Sequence, residues 1–296
     1  MSKSKRDKLP DIQTTKIKDA AIPQVGEENI DFQFKIYRKR RKDFIITSAK
    51  VNLFHWLAGT KKGINMSRIM EVLMEHREIP LDKITIQSLL YKMIEAMERS
   101  KKGESKTKIK DVYIKIKFPF FIDKAAPASK KIGLVGYNCA FIGKLMRTKG
   151  DKLVFTYALE VEVPCTSLCP CSKGISKYGA HNQRSKITVT VQVGPDETIW
   201  LEDLIQLIEK QGACEIYSLL KREDEKAVTE IAYENPCFVE DMIRNTRKAL
   251  EKLKAVKRFK IGVRNEESIH THDAVAYIRR YRKGKRWFSP YKIGVI

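Results

Sequence analysis

The chain has 296 residues, 43% hydrophobic and 9% aromatic, a composition that excludes extended disorder and suits two domains of roughly 100–150 residues each. It has no apolar run near the roughly 20 residues that cross a bilayer, and its basic N-terminus lacks the apolar stretch of a secretory signal, so a cytoplasmic protein with no membrane partner is expected. The formal net charge of +22 shows only that the surface attracts anions; the denser basic runs, 38–42 and 279–286, carry no recognised nucleic-acid motif, and nucleic-acid binding is not expected as the main function.

Residues 1–28 are polar and aperiodic and read as an N-terminal arm. A strand-like region covers 30–56, broken by the first basic run. Ser67 reads as the N-cap of a short helix that carries Ile69, Val72 and Leu73 and reaches about His76. Pro80 opens the next helix, with Ile86, Leu90, Met93, Ile94 and Met97 at helical spacing. The period then switches to two: Val112, Ile114, Ile116 and Phe118 alternate with Tyr113, Lys115 and Lys117 in a half-buried strand. Alternation returns at Phe155, Tyr157, Leu159, Val161 and Val163, and again at Ile187, Val189, Val191 and Val193. Trp200, Leu201, Leu204, Ile205 and Ile208 form a helical stripe. Asn235, with Pro236 after it, is expected to cap a helix that buries Val239, Met242, Ile243, Thr246, Leu250 and Leu253. Phe259, Ile261 and Val263 form a last strand.

Each half therefore reads as strands, two helices, strands. This is an α+β layer in which antiparallel strands carry both helices on one face, and a second sheet or subunit would cover the other. The expected modules are 29–148 and 149–281, followed by a basic tail, 282–296. The halves share the order of elements and no residue-level repeat.

Six cysteines are present, three of them within 165–171. A cytosolic chain of this size needs no disulfide framework, so the cluster points to thiolate chemistry or metal ligation. It lies in a loop of about twenty residues between two strongly alternating strands, which carries Cys169, Cys171, Lys173, His181, Asn182, Gln183 and Arg184; long loops inside compact domains are usually functional. The Cys and His spacing does not fit a closed four-ligand zinc site. An open site of one Cys, one His and a carboxylate fits better, while packed thiols and a histidine bonded to backbone fit equally from spacing alone. Carboxylates follow at 219–226, which alone reads as a solvated helix-to-helix turn, at 233–241 and at 264–273. The last group sets His270 and His272 two apart in an extended segment, so that they share a face.

Five segments in order resemble the type IB GTP cyclohydrolases: Lys62-Gly-Ile-Asn-Met-Ser-Arg68; Thr166-Ser-Leu-Cys-Pro-Cys-Ser-Lys173; Ala180-His-Asn-Gln-Arg184; Tyr233-Glu-Asn-Pro236 with Phe238-Val-Glu-Asp-Met242; and Asn265-Glu-Glu-Ser-Ile-His270 with His272-Asp-Ala274. The resemblance runs from about Leu9 to Tyr277. It implies two tandem tunnelling-fold modules, a homotetramer whose sheets join into a barrel with sites at module or subunit interfaces, and conversion of GTP and water to formate and 7,8-dihydroneopterin triphosphate, the entry to folate-type pterins.

The same resemblance implies one divalent metal ion per site (zinc, manganese or iron), held by Cys169, His181 and Glu225, with Glu223 at a variable position. His270 and His272 would move protons. Glu240, with Glu234 as a rival, would receive the guanine edge, and Lys62, Arg68, Lys173 and Arg184 are candidates for the triphosphate, each with a purely structural role as the alternative. Cys171 is a second thiolate or a packed thiol, and Cys165 reads as core. Rival readings are a cyclohydrolase that forms a cyclic phosphate, a nitrile reductase of the same fold, and a nucleic-acid binder.

Overall fold

The computed structural model describes residues 17–39, 43–99 and 107–289. In chain order the elements are β1 (Ile22–Tyr37), β2 (Phe44–Leu57), α1 (Met66–Glu75), α2 (Lys83–Glu98), β3 (Asp111–Ala125), β4 (Ile132–Arg147), β5 (Leu153–Leu168), α3 (Pro170–Ile175), β6 (Asn182–Val193), α4 (Leu201–Glu209), β7 (Cys214–Glu215), α5 (Arg222–Glu234), α6 (Val239–Glu251), β8 (Val256–Asn265), β9 (Ala274–Lys283) and β10 (Arg286–Phe288). They build one antiparallel sheet in the order β1-β2-β3-β4-β5-β6-β8-β9-β10, with β7 added to β5. The class is α+β, as the alternation implies.

The order repeats. In β1–β4 the chain leaves β2 for α1 and α2 and returns beside it as β3; in β5–β9 it leaves β6 for α4, α5 and α6 and returns beside it as β8. Alternation decides which face the helices cover. Val112, Ile114, Ile116 and Phe118 of β3 are buried, and so are Tyr157, Leu159, Val161, Val163 and Cys165 of β5. They join α2 and α4 in one hydrophobic core that spans both halves. The helices sit close: a Cβ at Gly143 of β4 would lie 2.8 Å from Ile86 and 2.9 Å from Leu90 of α2, so a larger residue there would displace the α2 side chains. The opposite face is polar and internally paired. Glu160 accepts from Lys115 at 2.8 Å and from Thr190 at 3.1 Å, and Glu162 accepts from Asn138 at 3.0 Å.

The halves meet at the β4–β5 ladder, which runs from Arg147↔Leu153 to Asn138↔Glu162. A buried polar knot reinforces the junction. Lys124 of β3 pairs with Glu209 of α4 at 2.5 Å and with Glu215 of β7 at 2.8 Å, and the Tyr137 hydroxyl of β4 donates to Glu209 at 2.5 Å. The side chains of Lys124 and Glu209 are only 11% and 6% exposed. Asp224 of α5 adds a second tie, accepting from the Ala128 and Ser129 N–H groups at 2.8 Å each and from the Ser129 hydroxyl at 2.6 Å.

Several boundaries depart from the periodicity. β1 begins at Ile22, inside the segment read as an arm, because an edge strand needs only backbone partners on one side; Ile22 pairs with Leu57 and Val25 with His55. Residues 1–16 lie outside the described residues, as do 40–42 of the basic run. The first helix is preceded by Asn65 in the left-handed region (φ 56°), and Ser67 lies inside it. Leu81 after Pro80 bonds to β1, its N–H donating to the Lys35 carbonyl at 2.7 Å, so α2 starts two residues later behind the cap of Asp82. Asn235 ends α5 instead of starting α6, whose first turn closes when Asp241 accepts from the Phe238 N–H at 3.1 Å. The described part of the tail assigned from residue 282, 282–289, is largely sheet: β9 continues to Lys283 and β10 pairs with it. Residues 290–296 lie outside the described residues.

Candidate metal centre

The twenty-residue loop is shorter than its sequence implies. β5 continues to Leu168 and β6 starts at Asn182, so Gln183 and Arg184 are strand residues, and 169–181 remain as the connection. The β5–β6 ladder ends on Leu168↔Asn182. One step further the Cys169 N–H donates to the His181 carbonyl at 3.1 Å, which makes Cys169 and His181 the next cross-strand neighbours, with Cβ atoms expected about 4.5–5.5 Å apart. Ser172 locks this rung: its hydroxyl donates to the Cys169 carbonyl at 3.2 Å and accepts from the His181 N–H at 3.2 Å. Cys169 is also the N-cap of α3, with Pro170 at the first position, and its Sγ accepts from the Ser172 N–H at 3.4 Å.

The His181 ring is held from one side. Its Nδ1 lies 2.9 Å from Gln183 Oε1, and Gln183 Nε2 donates to the Ser167 hydroxyl at 2.6 Å. Ser167 and Gln183 are buried. The Ser268 hydroxyl of the β8–β9 connection stands 3.4 Å from Nδ1 and 3.5 Å from Gln183 Oε1. With Nδ1 so engaged, Nε2 is the ring nitrogen that no hydrogen bond among the described residues occupies. A ring nitrogen tied to an oxygen acceptor, beside a half-buried thiol, is a donor pair suited to a borderline-soft divalent ion. Among the described residues no three Cys, His, Asp or Glu side chains already converge as a metal cluster.

The remaining candidates fall on two sides of the fold. Glu225 sits exposed in the first turn of α5, four residues before Thr229 and eight before Tyr233. Those two, with Glu230 and Glu234, line an open depression of about 710 Å³ against Leu168, Lys177, Tyr178 and Asn182. The stripe carrying Glu225 therefore runs beside the Cys169–His181 connection. Of the segment 219–226, read as a solvated turn, residues 222–226 are the start of a helix. Lys173 is bonded to the Tyr233 carbonyl and lies 4.2 Å over that ring, which anchors α3 to the end of α5. Glu240 is exposed in the first turn of α6, and Arg184 is exposed on β6. In the first module Lys62 is exposed, whereas Arg68 Nη1 donates to the Ala96 and Arg99 carbonyls at 2.9 Å each and closes the end of α2. His270 and His272 are not in an extended segment: they lie in the bend between β8 and β9, exposed, with their rings stacked 5.4 Å apart.

Burial sorts the thiols and histidines. Cys139, Cys165, Cys214 and Cys237 are buried, and only Cys169 and Cys171 reach the surface. Burial pushes the Cys237 thiol up to about 11 and raises Cys139 and Cys165 further. His55 and His76, the two histidines outside the motifs, are buried against backbone carbonyls, His55 at 3.0 Å from Trp56 O and His76 at 2.9 Å from Val72 O. Residue spacing gave no role to Gln183, Ser167 or Ser268. Their signal is the pairing register, which sets Ser167 opposite Gln183.

Comparison with known proteins identifies the family of the chain. The family model described as "Type I GTP cyclohydrolase folE2" matches residues 9–276. The chain is 43% identical over 281 residues to GTP cyclohydrolase FolE2 of Citrifermentans bemidjiense, covering 94% of this chain and 97% of that one. It is 43% identical over 277 residues to the enzyme of the same name from Geobacter sulfurreducens, covering 93% and 99%. The uricase of Arthrobacter globiformis shares the fold with a TM-score of 0.57 at 9% identity, covering 93% of this chain and 99% of that one. Spanned almost end to end by that family model and by close relatives of full length, the chain belongs to the type I GTP cyclohydrolase FolE2 family.

Proposed function

We propose that this chain converts GTP and water to formate and 7,8-dihydroneopterin triphosphate, supplying pterins for folate-type cofactors. The observation that supports the reading most directly is the Cys169–His181 rung, which sets a thiol and an imidazole on neighbouring positions at the end of the β5–β6 ladder. Cys169 and His181 hold one divalent ion, zinc, manganese or iron, and Glu225 completes the set from the α5 stripe. When bound, the ion supplies Lewis acidity that brings the pKa of water toward neutrality for attack at guanine C8.

The chain's own groups do the rest. His270 and His272, exposed and stacked beside the Ser268 contact, carry protons between the ring nitrogens and solvent as the imidazole ring opens and the ribose rearranges. Glu240, with Glu234 as its rival, accepts the two parallel N–H donors of the guanine edge. Because Arg68 and Lys173 are already spent on carbonyls, the triphosphate falls mainly to Lys62 and Arg184, the latter offering bidentate bonds. Cys171, exposed two residues from the ligand thiol, is a second thiolate at the rim. Assembly as a homotetramer covers the polar sheet face and brings first-module cations to the site of a neighbouring copy.

The test is turnover and product identity on one anaerobically purified sample loaded in turn with zinc, manganese and iron. A fluorescent pterin after oxidation is expected. Its absence with every metal defeats the proposal, and a cyclic phosphate product transfers the chain to the other cyclohydrolase class.

A further inference from the structure

We propose that Gln183 is a positioning residue for His181: its side-chain oxygen holds the proton on Nδ1 and so keeps the lone pair on Nε2, available to the ion. The proposal rests on the metal-site reading above and adds the residue that prepares the ligand.

The argument starts from register. Ser167 and Gln183 face each other across the β5–β6 ladder, two residues inside the Cys169–His181 rung, and both point to the buried side. A primary amide has two distinct ends. One end of Gln183 lies 2.6 Å from the Ser167 hydroxyl and the other 2.9 Å from His181 Nδ1. With the amide nitrogen donating to Ser167, the oxygen faces the imidazole and can only accept, so Nδ1 carries the hydrogen. The Ser268 hydroxyl, 3.4 Å from Nδ1 and 3.5 Å from Gln183 Oε1, closes the same pocket from the β8–β9 connection. Burial makes the arrangement exacting, because an amide removed from water costs free energy unless both ends are bonded. Ligand histidines are oriented in this way by an acceptor on the far nitrogen, and loss of that acceptor lowers metal affinity about 10–100-fold.

The test compares wild type with Gln183→Met, Gln183→Glu, Ser167→Ala and Cys169→Ala, using zinc affinity by competition with a chromogenic chelator and the His181 tautomer in the metal-free protein by ¹⁵N NMR. Gln183→Met, similar in length but without an acceptor, is expected to weaken zinc binding about 10–100-fold and to lose the Nδ1–H tautomer preference. Gln183→Glu, which can only accept, is expected to restore both, and Ser167→Ala to lie between. The metal-free melting temperature identifies any variant that fails to fold, and the tautomer of Ser167→Ala then decides. Unchanged zinc affinity and tautomer in Gln183→Met, alongside lost affinity in Cys169→Ala, overturns the positioning role and leaves the metal site standing. Unchanged affinity in Cys169→Ala as well overturns the metal reading itself.

Discussion

The β3–β4 turn and the β8–β9 connection occupy the same place in the two modules, yet one is closed and the other open. In the first module, residues 126–131 form a tight turn whose Ala128 and Ser129 N–H groups point into Asp224, while Lys124 just before it is buried between Glu209 and Glu215. In the second module, residues 268–273 are exposed, His270 and His272 among them, and the connection is tied back through the Glu266 N–H on the Arg184 carbonyl and through Ser268 beside His181. A duplicated module can assign one copy of a loop to holding the fold together and release the other for chemistry. Polar groups at the closed end are satisfied by protein; at the open end Asp273 pairs with Arg264 while His270 and His272 stay exposed.

Variants at the two ends break or sharpen that contrast. At the open end, Cys169→Ala and His181→Ala should reduce GTP turnover to background while leaving the far-ultraviolet circular dichroism and the melting temperature close to wild type; turnover retained in both would remove the distinction. At the closed end, Lys124→Met leaves two carboxylates facing each other in the interior and should cost about 3–5 kcal/mol, read from denaturant midpoints, with activity per folded molecule unchanged.

Asp224 gives the closed end an acid limb. Burial alone would raise its carboxyl, but the Ser129 hydroxyl and the N–H groups of Lys221, Ser129 and Ala128 hold it well below the ordinary 3.8. The native state therefore binds this proton less readily than the unfolded chain, so the stabilisation is complete above about pH 4 and is lost as pH falls toward the folded value. Melting temperature followed from pH 7 down to pH 3 should fall more steeply in wild type than in Asp224→Asn, which starts lower. The smallest effect belongs to Arg68→Ala, which removes the two bonds closing α2 and should cost about 1 kcal/mol. A much larger loss of turnover than of stability there would return Arg68 to the triphosphate site.

What the sequence made legible was set by side-chain period. The strands around Val112 and Val161 and the stripes of α2 and α4 alternate cleanly because one face is buried. β4 was missed because glycines at 133, 136 and 143 dilute its alternation, and Gly143 is there to admit α2. α5 was missed because only Asp224 and Ala232 are buried along its thirteen residues, so it has no apolar stripe to read. The cap at Asn65 depends on a left-handed backbone that composition does not reveal. At the site, Cys169 and His181 were readable as donor types, and the pairing register made them neighbours. Gln183 and Ser167 are ordinary strand residues until that register sets them face to face.

The rung beneath the proposed metal centre also frees the loop above it. The thiol and the imidazole are spaced by strand pairing and clamped by Ser172, so the distance between them does not depend on how many residues follow α3 before the chain returns. The stretch 174–178 is exposed, and Gly179 (φ 125°) after it has nothing within 4 Å of the position of an added Cβ. This is a place where the polypeptide can be lengthened, or opened to create new termini by circular permutation, without moving either ligand.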